Sequence, residues 1–152
     1  MLPRIRPLQR CSKTTARLEQ RCLFSSSSKR HAYEDTIPNL KIGKNTKVIY
    51  QGFTGRVSTS NAQQSLEYGT KIVGGTTPGK EGEHLGLPLL PSVQACADKL
   101  KPDASAVFVA AHQAGKAIED AIAAEIPLIV AVAEFIPLHD ILRVGDKPAS
   151  YV

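Results

Sequence analysis

The fold is decided by residues 47–58, KVIYQGFTGRVS, in which an apolar run leads directly into a turn of small residues. The run at Val48–Gln51 predicts a β-strand, and Gly52 and Gly55 permit a tight turn after it. A helix is predicted to follow, with Ser58 or Thr59 as its N-cap. A strand, a glycine turn and a helix in this order direct backbone N–H groups at an anion, usually a nucleotide phosphate.

Apolar runs and segments of helical period alternate through the rest of the chain. The apolar runs are nearly continuous, which is typical of strands buried on both faces of a sheet. The sequence therefore predicts an α/β fold, a Rossmann-like domain whose parallel sheet is covered by helices on both faces. The predicted strands are 48–51, 71–73, 104–109 and 128–132, the predicted helices are 59–68, 92–100, 113–124 and 138–144, and residues 76–91 are predicted to form a long loop.

Ligands of open parallel sheets bind outside the carboxyl ends of the strands. Four segments follow predicted strands directly: 52–57, 76–80, the loop after Val109, and 132–134. We expect these four segments to converge on one edge of the sheet, where the ligand would bind.

The basic charge of the chain is concentrated at its N-terminus. Residues 1–31 contain eight basic residues and one acidic residue, whereas the remainder contains 11 basic and 13 acidic residues. The sequence pI of about 9.2 therefore does not describe the domain, and a nucleic-acid partner is not predicted. No apolar run reaches the 18 residues typical of a membrane helix, so no membrane association is predicted.

Residues 1–33 have the pattern of a mitochondrial transit peptide. Five basic residues from Arg6 to Arg21 share one helical face, an apolar stripe occupies another, and four serines follow at 25–28. The alternative is a disordered basic tail. We expect location in the mitochondrial matrix, with residues 34–46 as a linker. The three cysteines suggest no disulfide framework, in agreement with a reducing compartment.

As a spacing pattern, the glycine turn is a weak dinucleotide signature. Gly52, Gly55 and Ser58 depart from Gly-x-Gly-x-x-Gly, and no acidic residue follows the second strand until Glu81. The carboxylate that would hold a ribose hydroxyl is therefore missing. A nicotinamide-dependent dehydrogenase is disfavoured.

Longer stretches are more specific. The segments 45–49 (NTKVI), 51–55 (QGFTG), 67–80 (EYGTKIVGGTTPGK), 84–88 (HLGLP) and 125–130 (EIPLIV) closely resemble the α subunits of succinate–CoA ligases. The resemblance extends over roughly residues 36–144 and keeps the order and spacing of these segments. It implies that residues 47–144 form a domain that binds coenzyme A.

The resemblance also implies an activity and a partner. Enzymes of this family act in the tricarboxylic acid cycle and interconvert succinyl-CoA, nucleoside diphosphate and phosphate with succinate, CoA and nucleoside triphosphate. Their β subunit binds the nucleotide and decides between ADP and GDP. We therefore expect a heterodimer of this chain with a succinate–CoA ligase β subunit.

The CoA contacts of the family can be transferred to matching positions of this chain. They imply a phosphate-binding turn, a loop lysine after Pro-Gly, and a polar segment at the end of the last strand. The corresponding residues are Thr54, Gly55, Arg56 and Val57 in the turn, Lys80 in the loop, and Val132, Ala133 and Glu134 after the strand.

Four departures from the family pattern all fall at the predicted ligand edge. Ser58 replaces a glycine, residues 59–61 read TSN instead of Thr-Phe-His, and residues 110–113 (AAHQ) replace a proline cluster. Phe135 also replaces a glycine, which would cost about 1 kcal/mol or more if the position requires a positive φ. A divergent relative with altered CoA binding is therefore an open alternative.

No catalytic or metal-binding residue is predicted in this chain. In the family a second domain holds the phosphorylated histidine, and none of His31, His84, His112 and His139 matches its motif. We expect His84 and His112 to be surface or loop histidines without metal partners, His139 to lie on a solvated helical face, and Cys96 to lie in the core.

Residues 145–152 match nothing in the family, so we expect a truncated or misspliced product or a fragmentary gene model, and a chain that is inactive as a ligase by itself. One alternative is a non-catalytic CoA-binding module, a sensor or a pseudo-subunit that titrates the β partner. Another is a fragment without function, whose exposed sheet edge and unpaired apolar helix faces would promote aggregation.

Overall fold

The structure, a computed structural model of the chain, describes residues 36–145. The predicted leader, residues 1–33, and most of the predicted tail lie outside the described residues. After a 3₁₀ turn at Ile37–Leu40, six strands and four helices follow. The strands are Val48–Gln51 (β1), Ile72–Thr76 (β2), Gly82–His84 (β3), Leu87–Leu90 (β4), Ala104–Val107 (β5) and Leu128–Ala131 (β6), and the helices are Arg56–Tyr68 (α1), Val93–Leu100 (α2), Ala111–Ala123 (α3) and Leu138–Gly145 (α4).

The strands form one mixed sheet in the order β3-β4-β2-β1-β5-β6. Strand β1 pairs in parallel with β2 on one side and β5 on the other, and β4 and β6 continue the parallel pairing outward. Only β3 among the described strands is antiparallel, because it turns back onto β4. The predicted Rossmann-like α/β class is confirmed, with this antiparallel edge added.

Helices cover both faces of the sheet, as the continuous apolar strands predict. Successive residues of β1 point to opposite faces. Ile49 packs with Val93 and Cys96 of α2 and with residues of α3, whereas Tyr50 packs with Phe53 and with residues of α1. The core therefore consists of two apolar layers separated by the sheet.

Strand β2 is longer than predicted, because Gly74 and Gly75 continue it instead of ending it. A Cβ at Gly75 would lie 2.5 Å from Cγ of Phe53, and a Cβ at Gly74 would lie 2.7 Å from the carbonyl oxygen of Pro88. Glycine in a strand commonly marks such a close approach. These two glycines are therefore needed for packing. The prediction that they end the strand was wrong.

The prediction that residues 76–91 form a loop was also wrong, because this segment contains the hairpin of β3 and β4. Leu85 and Gly86, both with positive φ, form the two-residue turn between the strands. Two positive φ values are typical of the turns that join antiparallel strands closely. The sequence signal was weak because leucine is an unusual residue at the first of these positions.

Helix α1 begins three residues earlier than predicted. Gly55 is its N-cap, with extended backbone angles, and Ser58 and Thr59 lie inside the first turn. Smaller differences occur elsewhere: β5 and β6 end at Val107 and Ala131, and α3 begins at Ala111.

Helix α4 is held against α3 by a close approach and an ionic network. A Cβ at Gly115 would lie 2.9 Å from Cβ of Asp140. The guanidinium of Arg143 contacts Oε1 of Glu119 through Nε at 2.8 Å and Oδ1 of Asp140 through Nη2 at 3.0 Å. The hydrogen bond and charge of Glu119, and then Asp140, raise the pKa of Arg143 above its usual range. Arg143 therefore keeps its positive charge.

An apolar surface lies beside this network. Strand β6 is the outer parallel strand of the sheet, and both it and α4 carry exposed apolar side chains. The members of this surface are Val130, Val132, Phe135, Leu138, Ile141 and Leu142.

The contact between Phe53 and Gly75 gives a stability prediction. We expect Gly75→Ala to lower the free energy of unfolding by about 2 kcal/mol, because the new methyl group overlaps the Phe53 ring in a packed core. The measurement is urea denaturation followed by circular dichroism. The matched control is Gly43→Ala, since a Cβ at Gly43 meets nothing within 4 Å. Equal midpoints for the two variants would contradict the prediction.

The buried thiol gives a pH prediction. Cys96 is fully buried, as predicted, and burial raises its pKa from 9.0 to about 11, partly offset by the nearby Lys99. Because the folded-state pKa lies above the unfolded value, the contribution of the thiol to stability is complete below pH 9 and is lost as the pH rises toward 11. The free energy of unfolding should therefore fall more steeply over this range in the unchanged chain than in Cys96→Ala. Parallel slopes in denaturation measurements at pH 8 to 11 would refute this.

Candidate functional site

A cavity of about 780 Å³ lies at the carboxyl edge of the parallel strands. The segments that follow β1, β2 and β5 line it, together with the N-terminal part of α2 and residues along the whole length of α3. This is the edge that the strand topology predicts for a ligand. The lining residues are Gln51, Gly52, Thr54, Gly55, Thr76–Pro78, Pro91–Gln94, Phe108–Ala110, His112, Gln113, Lys116, Ala117, Asp120 and Ala123.

The turn after β1 has a conformation that only glycine suits. Gly52 has a φ of 76°, and a Cβ there would lie 2.4 Å from the carbonyl oxygen of Phe108. The amide of Gly52 donates to Thr76 O at 2.9 Å, and the amide of Gly55 donates back to Gly52 O at 2.9 Å. The turn is therefore closed by its own backbone and packed against the ends of both neighbouring strands.

Two threonines connect the turn to the segment after β2. The amide of Thr54 donates to Oγ1 of Thr77 at 3.3 Å, and the two hydroxyl oxygens are also 3.3 Å apart. Both residues line the cavity. The walls contributed by β1 and β2 are thus held together by side-chain hydrogen bonds at the site itself.

Three helices begin at the cavity, and two of them lack a side-chain cap. Gly55, the N-cap of α1, and Ala110, the N-cap of α3, make no side-chain hydrogen bond to the amides of their helices. Ser92, the N-cap of α2, accepts a hydrogen bond at its Oγ from the amide of Ala95 at 3.2 Å. The first amides of α1 and α3 have no partner within their own helices, and each helix end carries a partial positive charge. The arrangement suits an anionic ligand.

Charged side chains lie on the α3 wall. Among the described residues that line the cavity, Lys116 is the only permanently cationic one and Asp120 the only acidic one. Their Nζ and Oδ1 atoms are 3.8 Å apart, and both side chains are exposed. His112 lies one turn before Lys116 on the same helix and also lines the cavity.

One buried polar side chain, Gln51 at the end of β1, belongs to the cavity lining. Its Nε2 donates to Oγ of Ser105 on β5 at 2.9 Å, and Ser105 does not line the cavity. The walls also contain apolar surface from Pro78, Phe108 and Val109. The cavity therefore combines apolar walls with a few polar groups, as ligand sites usually do.

The structure brings only part of the predicted site together. Thr54 and Gly55 line the cavity. Arg56 and Val57 lie beside it, exposed in the first turn of α1. Four predicted residues lie outside the lining, after β2 or after β6: Lys80, Val132, Ala133 and Glu134.

The loop after β6 was expected to converge with the other three, and it does not line the cavity. Val132 donates its amide to Val107 O at 3.2 Å, which continues the pairing of β5 with β6. Because β6 is the outer parallel strand, its loop lies next to β5 and away from the β1 turn. The roles given to the four outlying residues remain predictions.

His84 was predicted to be a surface or loop histidine and is neither. It is half-buried in β3, its Nε2 lies 2.9 Å from Oγ1 of Thr59, and its ring contacts Phe53 edge-on at 4.9 Å. Thr59 in turn donates to Phe53 O at 3.3 Å. The histidine therefore connects the hairpin to the turn, while His112 and His139 are exposed, as predicted.

The departures at Ser58 and Phe135 have different structural consequences. Ser58 is buried, and its hydroxyl has no hydrogen-bond partner among the described residues. Phe135 has a φ of 59° and a side chain that is 91% exposed. The condition stated for this position is therefore met: its φ is positive, and a bulky phenylalanine has a conformational cost there.

Residues 36–145 contain no group of three or more His, Cys, Asp or Glu side chains placed to hold a metal ion. No helix in this part of the chain is long and apolar enough to cross a membrane.

Comparison with known families assigns the domain. Residues 43–135 match the CoA binding domain. The chain belongs to this family. The matched segment includes β1 to β6, and therefore both the turn at Gly52–Gly55 and all of the cavity lining.

The chain is also similar to succinate–CoA ligase α subunits. It is 40% identical over 106 residues to the ADP-forming α subunit of Aquifex aeolicus, which covers 69% of this chain and 35% of the relative. The corresponding protein of Staphylococcus aureus is 38% identical over 104 residues, covering 68% and 34%. The chain thus spans about a third of the length of these relatives.

A solved structure shares the fold. ATP citrate lyase from Methanothrix soehngenii, in complex with citrate and coenzyme A, superposes with a TM-score of 0.58 over 67% of this chain and 19% of its own, at 18% identity. This likeness concerns the fold alone.

The sequence prediction missed the α2 and α3 walls of the cavity. Ser92, Gln94, His112, Gln113 and Lys116 line it and were not predicted as site residues. The sequence pattern could have predicted the α3 wall. His112 and Lys116 are four residues apart, so they share a face at the start of a helix that follows a parallel strand.

The backbone at Phe135 gives a stability prediction. Phe135→Asn should raise the free energy of unfolding by about 1 kcal/mol, because asparagine tolerates positive φ and the exposed ring loses little packing. The control is Phe135→Ala, which has no polar side chain to hydrogen-bond to the local backbone and should leave the free energy nearly unchanged. Urea denaturation of both variants is the measurement, and equal values for them would show that the backbone is not strained.

Proposed function

We propose that this chain is the CoA-binding part of a succinate–CoA ligase α subunit. The observation that carries the proposal is the coincidence of the family match with an anion-suited cavity at the edge where open parallel sheets bind their ligands. Similarity to two ligase α subunits extends over 106 and 107 residues, 69% and 70% of this chain. The coenzyme supplies the thiol that carries the acyl group.

The residues of the cavity fit the chemistry of the coenzyme. The uncapped amides at the start of α1, reached through Thr54 and Gly55, suit the diphosphate. The apolar surface of Pro78, Phe108 and Val109 suits the adenine and pantetheine parts. We propose that Arg56, Lys80 and Glu134 act from the margin, Arg56 and Lys80 as mobile cations near the phosphates.

We propose further that the complete ligase requires more than the domain described here. The chain aligns with about a third of its relatives, and no residue of 36–145 is assigned a phosphoryl-transfer role. The reaction would interconvert succinyl-CoA, nucleoside diphosphate and phosphate with succinate, CoA and nucleoside triphosphate, with a β subunit as partner. The 152-residue chain mixed with CoA, succinate and ATP should form no succinyl-CoA, and measurable turnover by the chain alone would refute this.

The role of the turn is tested by an N-cap substitution. Aspartate is a favourable N-cap residue, and its Cβ would lie 3.2 Å from the carbonyl oxygen of Gly52, so Gly55→Asp should keep α1 folded after a small shift in the turn. Its carboxylate would, however, occupy the position proposed for the diphosphate and repel it. We expect the affinity of the full chain for CoA to fall about tenfold or more in isothermal titration calorimetry, a loss of about 1.4 kcal/mol.

The matched control for this experiment is Gly43→Asp. It introduces the same charge at a residue where a Cβ meets nothing within 4 Å and which does not line the cavity. Its CoA affinity should equal that of the unchanged chain. If Gly55→Asp binds CoA as tightly as the control, the turn is not the phosphate site.

A non-catalytic CoA-binding module is the second candidate. The changed α3 wall, where residues 110–113 depart from the family pattern, favours it. Co-purification from the source cells distinguishes the two. Recovery of CoA-binding activity with a β subunit and ligase turnover supports the ligase, whereas CoA binding without either supports the module.

We propose that residues 1–33 direct the protein to the mitochondrial matrix, on the basis of their Arg-rich and Ser-rich composition. A fusion of residues 1–33 to a fluorescent protein should enter mitochondria and be shortened there. A matched fusion in which Arg6, Arg10 and Arg17 are replaced by glutamine should remain outside. Cytosolic fluorescence from the unchanged fusion would reject the proposal.

A further inference from the structure

The α3 wall of the cavity carries a positive group that the proposed function does not yet use. Lys116 lines the cavity from α3, whereas Thr54 and Gly55 line it from the segment after β1, and it is the only permanent cation among the described lining residues. Its side chain is 81% exposed, so the ammonium is free to move toward a ligand. Lys80 and Arg56, the cations that the sequence prediction favoured, do not line the cavity.

The surroundings of Lys116 favour an anion there. Ala110, the N-cap of α3, lines the cavity and provides no side-chain cap. The positive end of α3 is therefore at the cavity. His112 lies one turn earlier on the same helix and adds a ring N–H donor. The opposing charge is Asp120, whose Oδ1 is 3.8 Å from Nζ of Lys116, a long contact between exposed groups that contributes little stability.

Coenzyme A carries two separate anionic groups, the diphosphate and the 3′-phosphate of its ribose. The amides at the start of α1 suit the diphosphate. The lining residues of the segment after β1 include no cation for the phosphomonoester. A phosphomonoester has a charge of about −2 at neutral pH, so a single ammonium group gains more from it than from a diphosphate oxygen.

We propose that Lys116, assisted by His112, recognises the 3′-phosphate of coenzyme A and makes this chain selective for CoA over its 3′-dephospho form. The proposal rests on the proposed function, since it assigns one part of the ligand to one wall of the same cavity. Asp120 acts against this recognition, because it competes for Lys116 and repels the phosphate.

The experiment measures dissociation constants of the 152-residue chain for CoA and for 3′-dephospho-CoA by isothermal titration calorimetry. The unchanged chain should bind CoA about tenfold more tightly than dephospho-CoA, a typical value for one charge-assisted contact. Lys116→Gln should abolish that preference by weakening CoA binding alone. Asp120→Asn should widen the preference, because it releases Lys116 and removes a repulsive charge.

The matched control is Lys99→Gln, which removes one exposed lysine charge from α2 outside the cavity. Its preference for CoA should equal that of the unchanged chain. A fall in the preference at high salt is expected as well, since the contact joins exposed charges. Circular dichroism of each variant verifies that the helices are retained.

Each outcome decides between distinct statements. Equal affinities of the unchanged chain for the two ligands would overturn the 3′-phosphate assignment and leave the proposed function intact. Equal weakening of both ligands by Lys116→Gln would also overturn it, because Lys116 would then contact the diphosphate. Failure of the unchanged chain to bind either ligand would instead reject the proposed function, and the assignment with it.

Discussion

The structure depends on how closely the segment after β1 approaches its neighbours. Gly52 has no side chain where the carbonyl of Phe108 passes, and Gly75 has none where the Phe53 ring packs. The two approaches lie on either side of the central strand, one toward β5 and one toward β2. Together they hold the turn at the sheet edge, which places the start of α1 at the cavity. A single added methyl group at either position would move the backbone that forms the site.

The cavity follows from this arrangement and from the strand order. Parallel strands bring the segments after β1, β2 and β5 to one edge, and the helices that start there present their amides to the same space. The threonine pair 54 and 77 and the histidine at 84 fasten the turn to β2 and to the hairpin. The site is therefore built mainly from backbone amides and apolar walls, with few side-chain charges. Such a site selects a large ligand with both apolar and anionic parts.

The far side of the domain has a different character. Strand β6 and α4 expose apolar side chains beside the Arg143 network, and the chain spans about a third of the length of its ligase relatives. The network and the contact of Gly115 with Asp140 orient α4 without covering its apolar face. Exposed apolar area of this kind is a common property of surfaces that bind other protein segments, and it also favours aggregation. The domain thus has a ligand-facing edge that suits an anion and a flank with exposed apolar side chains.

The sequence by itself determined the central features: the strand and turn at residues 47–58, the α/β class, the buried Cys96 and the membership in a CoA-binding family. These follow from local patterns, because strand, turn and helix signals lie within a few residues of each other. Only the tertiary structure decided that Gly74 and Gly75 continue β2, that residues 82–90 form a hairpin, and that Lys116 lines the cavity while Lys80 and Glu134 do not. Each of these depends on contacts between segments distant in sequence. A glycine that ends a strand and a glycine that admits a neighbouring ring have the same letter, and only the packing distinguishes them.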